Sequence, residues 1–387
     1  MSILFAPFNV GSLSIKNRFV HSACEDNLAA ETGNVSEANL KRVKTLARGE
    51  LGLIIWTHLA VHPLGRTKKR QAGIFHDNMI PGLRDITDSV HQENGKIAFQ
   101  LGHAGSQTQK KVIGNTPKGP MKMDEVEIQD AIQAFANAGA RAVNSNADAI
   151  QLHAAHGYLI NQFLSPFFNK RTDKWGGTPE KRFRFLKEII LETRESVSRE
   201  IPLLVKLNAD DFVNEKGITL PLAVQYAEWL AELGIDGLEI SAGTSFYSPW
   251  AICRGDIPEH EILQNVPKEK QAGMKIWMEN ITGKMDYKEA YNMEFARQLR
   301  PVTKGIPLFA PGGWRTVSEM EKSIEKGYSD FISMCRPFIR EPFLVRNIHR
   351  GKKKSSSCKN CNRCFAAVIT DIPVRCYYKK DPSFADK

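Results

Sequence analysis

The amino-acid sequence predicts an α/β protein whose main domain is a (β/α)8 TIM barrel, in which parallel strands alternate with helices. Eight short apolar segments are separated by helical patterns, and polar side chains follow several of these segments. No G-x-G-x-x-G motif follows the first segment, which disfavours an open dinucleotide-binding sheet.

Eight segments have the apolar composition of strands in a buried parallel sheet. They span residues 19–22, 53–57, 97–101, 149–153, 203–207, 237–240, 308–311 and 331–334. Helical periodicity lies between them, at residues 36–48, 81–93, 126–142, 179–199, 220–233 and 317–326. Three of these helices begin at residues that favour N-caps, which are Ser36, Asp124 and Thr178.

The chain of 387 residues is long enough for this barrel and a short extension. We expect the barrel to occupy residues 1–350 and a basic, cysteine-rich tail to occupy residues 351–387. A Lys- and Ser-rich segment at 351–357 is predicted to be a flexible hinge between them. Two long connections, 102–122 and 245–300, would shape access for a substrate.

Composition and charge limit the classes of protein. No run of eighteen apolar residues is present, and the N-terminus does not resemble a signal peptide, so we expect no membrane span and a cytoplasmic location. The net charge of +10 is concentrated in residues 340–387, where twelve Lys or Arg and four Asp or Glu leave an excess of +8. This region is either a solvated tail or a docking surface for an acidic partner or for ligand phosphates.

Three hydrogen-bonding side chains follow the fourth apolar segment, at His153, His156 and Tyr158. Barrel enzymes carry their catalytic residues at the carboxyl ends of the strands. One histidine at such a position is more often a packing residue, but two histidines and a tyrosine together favour a catalytic site. We expect Asn161 to fix this loop, and His103, after the third segment, to line the substrate pocket.

Residues 147–177 resemble the signature of the old yellow enzyme family of flavin-dependent ene-reductases. Further matching segments are KNRFV at 16–20, QLGHAG at 100–105, VKLNADDF at 205–212, PGGWR at 311–315 and MCRP at 334–337. The resemblance covers nearly the whole barrel and implies FMN at its top. It also implies that His153 and His156 polarise a substrate carbonyl and that Tyr158 donates the proton.

The resemblance assigns nine residues to the FMN site: Ser22, Ala23, Cys24, Gln100, Lys206, Gly312, Gly313, Cys335 and Arg336. The Gln100 amide would bind the flavin pyrimidine, and Lys206 would stabilise the negative charge of reduced flavin. The alternative for Lys206 is a salt bridge with Asp210 or Asp211. Barrels commonly bind phosphate with the loops after the seventh and eighth strands, which agrees with the assigned glycines and Arg336.

Two positions depart from the residues that this family usually has. Cys335 replaces a glycine, and a backbone contact survives the change if the dihedral angles do not require glycine. The loop HSACED at 21–26 replaces a Pro-Met-Thr or Pro-Met-Cys run, so either Cys24 or Glu25 occupies the position that tunes the flavin. A carboxylate there would disfavour anionic reduced flavin more than a thiol would.

Four cysteines of the tail have the C-x2-C-x2-C…C spacing of iron–sulfur ligands: Cys358, Cys361, Cys364 and Cys376. The spacing is similar to that in the tail of the 2,4-dienoyl-CoA reductase branch of the same superfamily, whose [4Fe–4S] cluster passes electrons to FMN. That branch has one more residue between the second and third cysteines. A four-thiolate zinc site and free thiols are the alternatives.

These features predict an FMN-dependent oxidoreductase that reduces a C=C bond conjugated to a carbonyl or thioester, with enones or enoyl thioesters as substrates. Electrons would come from NADH, NADPH or an acidic donor protein such as a ferredoxin or flavodoxin. A demethylase or oxidase on the same scaffold is an alternative. A zinc-knuckle module that contacts nucleic acid is disfavoured, because the tail lacks a helix with interleaved aromatic residues. The sequence leaves open whether the protein forms a homo-oligomer.

Overall fold

The computed structural model describes residues 2–378 and contains a closed barrel of parallel strands, which confirms the predicted fold. The strands are β1 (Phe8–Val10), β2 (Leu13–Ile15), β3 (Phe19–His21), β4 (Leu53–Ala60), β5 (Ile97–Gly102), β6 (Ala149–Ala154), β7 (Leu203–Asn208), β8 (Gly237–Ser241), β9 (Leu308–Pro311) and β10 (Phe331–Met334). Strands β3 to β10 follow one another around the barrel, and β10 pairs with both β3 and β9 to close it.

All eight predicted barrel strands are present, and each begins at the residue where we expected it to begin. Strand β4 is longer than predicted, because it continues to Ala60. The antiparallel β1–β2 hairpin was not predicted. Its residues Val10, Leu13 and Ile15 pack against residues near the starts of the barrel strands, such as Val20, so the hairpin closes the end of the barrel opposite the strands' carboxyl ends.

Helices surround the barrel. They are α1 (Glu37–Ala47), α2 (Ile80–His91), α3 (Lys110–Ile113), α4 (Glu125–Asn144), α5 (Leu159–Leu164), α6 (Pro179–Ser196), α7 (Leu220–Glu232), α8 (Glu259–Leu263), α9 (Lys268–Ile281), α10 (Met293–Leu299), α11 (Val317–Glu325), α12 (Arg336–Arg340), α13 (Leu344–His349) and α14 (Arg363–Ile369). Short 3-10 turns lie at Ile3–Phe5, Pro63–Gly65, Asp77–Met79, Pro120–Lys122, Pro249–Ala251 and Arg300–Val302. Within residues 2–378, no helix has the length and apolar character needed to cross a membrane.

The six predicted helices correspond to α1, α2, α4, α6, α7 and α11. The three expected N-caps are present: the side chains of Ser36, Asp124 and Thr178 each accept a hydrogen bond from a backbone N–H in the first turn of the helix. Helices α8, α9 and α10 lie in the long connection between β8 and β9, where we expected room for extra elements.

The segment expected to be a flexible hinge is instead bonded to the barrel, so that prediction is wrong. The Glu341 carboxylate accepts hydrogen bonds from Lys353 Nζ at 2.6 Å and from the backbone N–H of Ser357 at 2.6 Å. The backbone N–H of Ser356 donates to the Arg315 carbonyl at 2.9 Å. The rest of the described tail, up to residue 378, therefore lies against the barrel, and residues 379–387 of the predicted tail lie outside the described residues.

Candidate active site

One cavity of about 210 Å³ lies at the carboxyl ends of the barrel strands. All twelve predicted catalytic and FMN-binding residues line it: Ser22, Ala23, Cys24, Gln100, His153, His156, Tyr158, Lys206, Gly312, Gly313, Cys335 and Arg336. Closure of the barrel brings these residues together, because β10 pairs with β3. The structure therefore gathers the predicted residues at one site, as their placement after different strands led us to expect.

The predicted catalytic residues form a compact cluster of rings. The centroid of the His153 ring, on β6, is 5.1 Å from that of His156 and 4.9 Å from that of Tyr158. His58, on β4, belongs to the same cluster, with its centroid 5.0 Å from His153 and 4.6 Å from Tyr158. Three imidazoles and one phenol therefore face a common volume.

Burial sets the protonation states of this cluster. The pKa values of His153 and His156 lie well below the ordinary histidine value, because burial disfavours the imidazolium form and neighbouring basic groups repel it. Burial also raises the pKa of Tyr158 to about 12, although a hydrogen bond with Ser245 opposes this shift. Near neutral pH the imidazoles are uncharged and the phenol keeps its proton.

Hydrogen bonds of its backbone and of its ring hold His156 in place. Its φ is +63°, in the left-handed region that non-glycine residues rarely adopt. Its backbone N–H donates to Asn208 Oδ1 at 3.2 Å, and its Nε2 lies 2.7 Å from Ser241 Oγ. Asn161 Oδ1 accepts from the next backbone N–H, that of Gly157, at 2.6 Å. The contact agrees with the structural role expected for Asn161.

Buried polar side chains form a chain of hydrogen bonds that joins Gln100 to Lys206. Gln100 Nε2 donates to Gln151 Oε1 at 2.7 Å, and Gln151 Nε2 donates to Glu239 Oε2 at 2.9 Å. Ser22 Oγ donates to Glu239 Oε1 at 2.6 Å, and Lys206 Nζ donates to Ser22 Oγ at 3.2 Å. A cation and an amide thus stand in fixed positions at the cavity wall, which suits the flavin roles that we expected for Lys206 and Gln100.

The ion-pair partner of Lys206 is not an aspartate of the loop after β7. Its ammonium lies 3.5 Å from Glu239 Oε2, and both side chains are almost fully buried. Asp211 instead accepts hydrogen bonds from the Asn208 and Asn161 amides, at 2.9 and 3.2 Å. The alternative of a salt bridge with Asp210 or Asp211 is therefore wrong.

The other end of the cavity has the open backbone that a phosphate needs. Gly312 and Gly313 have φ values of +126° and +77°, and a Cβ on Gly313 would lie 2.4 Å from the Lys288 carbonyl oxygen. Cys335 has φ −120°, so its backbone does not require glycine. Arg336 provides a fixed positive charge beside it, and its Nη1 donates to the Arg254 carbonyl at 2.7 Å. The chemistry of the cavity's donors therefore fits FMN.

Both candidates for the flavin-tuning position line the cavity. The pKa of Cys24 is raised well above its usual range by a hydrogen bond with the Cys335 thiol and by burial. Burial, and then repulsion from Asp26, raises the pKa of Glu25 to about 8. Both side chains are therefore mainly uncharged near neutral pH, and Glu25 would place little negative charge beside a flavin.

The four tail cysteines line a second, smaller cavity of about 20 Å³. Cys364 lines both cavities, so the two share a wall. Within the described range of 2–378, however, no three His, Cys, Asp or Glu side chains are arranged closely enough to hold a metal ion. Burial raises the pKa values of Cys358 and Cys364. The structure thus supplies four thiols around one space without the geometry of a bound metal.

Three further residues of the site were missed. Glu239 could have been found, because it is the one charged residue of the predicted strand 237–240. Gln151 interrupts the apolar strand β6 in the same way. His58 lies one residue beyond the predicted end of its strand, so it was not predicted as a residue of the site. In contrast, His103 does not line the cavity: its ring stacks on His62, with centroids 6.0 Å apart, so its predicted place in the substrate pocket is wrong.

Comparison with known proteins indicates the family of the chain. A family model described as the NADH:flavin oxidoreductase / NADH oxidase family matches residues 3–248. The 4,4'-dithiodibutanoate disulfide reductase of Rhodococcus erythropolis is 30% identical over 380 residues, which cover 95% of this chain and 93% of that protein.

Two solved structures illustrate the fold. A 2-naphthoyl-CoA reductase in complex with 2-naphthoyl-CoA superimposes with a TM-score of 0.84 and 25% identity, over 99% of this chain and 57% of that one. An old yellow enzyme homologue from Zymomonas mobilis superimposes with a TM-score of 0.73 and 21% identity, over 98% of each chain. The chain thus spans little more than half of the first protein and nearly all of the second.

Proposed function

The chain belongs to the NADH:flavin oxidoreductase / NADH oxidase family, and from that premise we propose that it reduces a C=C bond conjugated to a carbonyl or thioester. Membership makes it an FMN-dependent NAD(P)H oxidoreductase, and the bond that it reduces is the proposal. One observation carries this proposal: two uncharged imidazoles and a protonated phenol line the same cavity, and the ring centroids of His156 and Tyr158 lie 5.1 and 4.9 Å from that of His153.

Each residue of the cluster has a separate task in this proposal. Bound FMN would supply the hydride. His153 and His156 would each donate an N–H to the substrate carbonyl oxygen, where negative charge develops, and their fixed positions avoid reorganisation. Tyr158 would give its proton to the second alkene carbon, because its raised pKa keeps it protonated until that carbon becomes basic.

The chain's own residues would hold the cofactor by complementary chemistry. We propose that Gln100 binds the pyrimidine edge, that Lys206 faces the part of the ring where negative charge collects, and that Gly312, Gly313 and Arg336 bind the phosphate. The backbone of residues 22–24 and 335 would complete the site. Support comes from the cavity that these residues share.

We propose that the four tail cysteines bind a [4Fe–4S] cluster, with zinc as the alternative. Four thiols line one small space, which suits either metal site in ligand number and type. Because Cys364 also lines the larger cavity, electrons from an acidic donor protein would have a short route to it. NADH remains the reductant that the family description names.

A second candidate function is the reduction of a disulfide. It is favoured by the hydrogen-bonded thiols of Cys24 and Cys335, which both line the cavity, and by the activity in the name of the Rhodococcus erythropolis relative. An alkene leaves this thiol pair unchanged, whereas a disulfide substrate could exchange with it. Membership in an enzyme family leaves no reason to propose a nucleic-acid-binding module.

The test starts with anaerobically purified protein. Its absorption spectrum and its iron and zinc contents identify the flavin and the metal of the tail. The protein is then reduced with one equivalent of NAD(P)H and mixed with either 2-cyclohexenone or a dialkyl disulfide. We expect reoxidation of the flavin by the enone, with one saturated ketone formed per flavin. Reoxidation by the disulfide alone would overturn the proposal in favour of the second candidate.

A further inference from the structure

Two arginines of the short helix α12 line the small cavity of the tail cysteines. Arg336 and Arg340 are four residues apart, so they lie on the same face of the helix. Arg336 also lines the larger cavity, where we propose that it binds the FMN phosphate. Arg340 lines the cysteine cavity but not the larger one, so FMN does not account for its charge.

Arg340 has no carboxylate partner among the residues that the structure describes. Its Nη1 donates to Cys376 Sγ at 3.6 Å, a length that the large radius of sulfur allows. Its Nε donates to Ser357 Oγ at 3.0 Å, and its guanidinium lies over the Tyr378 ring, 4.7 Å from the centroid. A half-buried guanidinium beside neutral groups alone is unusual, because buried charges are normally paired with opposite ones.

A metal site at the four cysteines would place negative charge beside this arginine. The thiolate is the form of cysteine that binds metals, so four cysteines around Zn²⁺ or an iron–sulfur cluster give a site with a net negative charge. A guanidinium that donates to one ligand sulfur offsets this charge at short range and orients the ligand. Hydrogen bonds to sulfur and net charge also set the reduction potential of a cluster.

We propose that Arg340 is a positioning residue of the tail's metal site, which orients Cys376 by a hydrogen bond to its sulfur and offsets the negative charge of the site. This inference rests on the metal site of the proposed function and adds a residue to it. An iron–sulfur cluster is more negative after it accepts an electron, so Arg340 would favour its reduced form. A zinc site would gain affinity from the same contact.

The test compares Arg340→Gln, which removes the charge, with Arg340→Lys, which keeps it. Arg350→Gln is the matched control, because Arg350 is exposed, belongs to the same basic region and does not line the cysteine cavity. In protein that contains an iron–sulfur cluster, a redox titration followed by EPR gives the reduction potential. We expect Arg340→Gln to shift the equilibrium about tenfold toward the oxidised cluster, which is about 59 mV for one electron, and Arg340→Lys to shift it less than about threefold. The control should leave the potential unchanged.

In protein that contains zinc, the same variants are titrated with a chelator to measure zinc affinity. We expect Arg340→Gln to weaken zinc binding about 10- to 100-fold, as for loss of other residues that orient a metal ligand, and Arg350→Gln to leave it unchanged. Neither measurement depends on alkene reduction, so both stand apart from the reaction proposed for the larger cavity.

Ser357→Ala separates this role from simple support of the tail, because it removes the other hydrogen bond of Arg340 and leaves the contact with sulfur. It should leave the potential and the zinc affinity unchanged. Equal effects of Ser357→Ala and Arg340→Gln would show that Arg340 only anchors the tail, and this result overturns the inference. So does an unchanged potential or zinc affinity in Arg340→Gln, although the metal site then stands. Wild-type protein that binds neither iron nor zinc would overturn the metal site itself, and the inference with it.

Discussion

The catalytic cluster and the cysteine tail share a wall of the same cavity, yet they are held in different ways. His153 and His156 are carried by β6 and the loop after it, and hydrogen bonds with Asn208 and Ser241 fix His156 in position. The tail cysteines lie beyond the last barrel strand. Other residues of the tail hold their segment in place by hydrogen bonds to the rest of the chain; for example, Asn362 Nδ2 donates to the Cys253 carbonyl at 3.0 Å.

This difference shows what a protein chain can arrange without a ligand. Neutral donors such as imidazoles and phenols are stable in a buried pocket, so the fold alone can place them. Four thiolates close together would repel one another, and metal binding to such ligands is coupled to deprotonation. The neutral donors of the cluster therefore need no partner to be placed by the fold, whereas four cysteines around one space, as in the tail, suit a metal site.

The largest expected effect concerns Tyr158, the proposed proton donor of the catalytic cluster. Tyr158→Phe removes one hydroxyl and little volume. We expect reoxidation of the reduced flavin by an enone to slow by about 100- to 10,000-fold, as for loss of a general acid. Stopped-flow traces of the two half-reactions give the measurement. Reduction by NAD(P)H should keep its rate, and an equal loss in both half-reactions would instead indicate a structural role.

A smaller effect is expected for the donors to the carbonyl oxygen. In the double variant His153→Ala and His156→Ala, affinity for a phenol, which mimics the developing oxyanion, should fall by about 100-fold because two hydrogen bonds to a charged oxygen are lost. The long-wavelength charge-transfer band of the phenol complex should disappear while FMN stays bound. The His103→Phe variant serves as the control, and an unchanged phenol affinity in the double variant would contradict the assignment.

For the tail, we expect an effect of about tenfold on the rate at which a donor protein reduces the flavin. If its basic charge docks an acidic donor, the rate of flavin reduction by a reduced ferredoxin should fall about tenfold between roughly 0.02 and 0.2 M ionic strength. Lys352→Glu together with Lys354→Glu should lower the rate at low salt, whereas Lys187→Glu on α6, also exposed, should not. Equal rates for these variants would mean that the tail does not dock the donor.

The smallest effect concerns the bond that holds the tail to the barrel. Burial opposes ionisation of Glu341, but hydrogen bonds from Lys353, Ser356 and Ser357 outweigh it and lower its pKa. Because the folded pKa lies below the unfolded one, this carboxylate stabilises the fold above the unfolded pKa, and the contribution is lost as the pH falls through the folded pKa. Glu341→Gln should lower the free energy of unfolding by about 1 kcal/mol at pH 7 and by much less near pH 3, measured by denaturant titration.

The sequence predicted the barrel and the positions of its strands because each strand is a short apolar segment, which local composition alone can identify. It predicted His153, His156 and Tyr158 because they follow one strand together. It could not predict His58, since strand alternation alone would point it outward and only the pairing of β4 with β5 reveals a bulge between Trp56 and His58. Nor could it predict that Lys206 pairs with Glu239, because that contact joins two strands that only the barrel brings together.

One measurement tests the central claim of flavin-dependent ene reduction most directly. The flavin is reduced anaerobically with NAD(P)H, excess nicotinamide is removed, and one equivalent of a conjugated alkene is added. We predict one saturated product per reduced flavin, formed as fast as the flavin reoxidises. Reoxidation of the flavin without a saturated product would contradict this account.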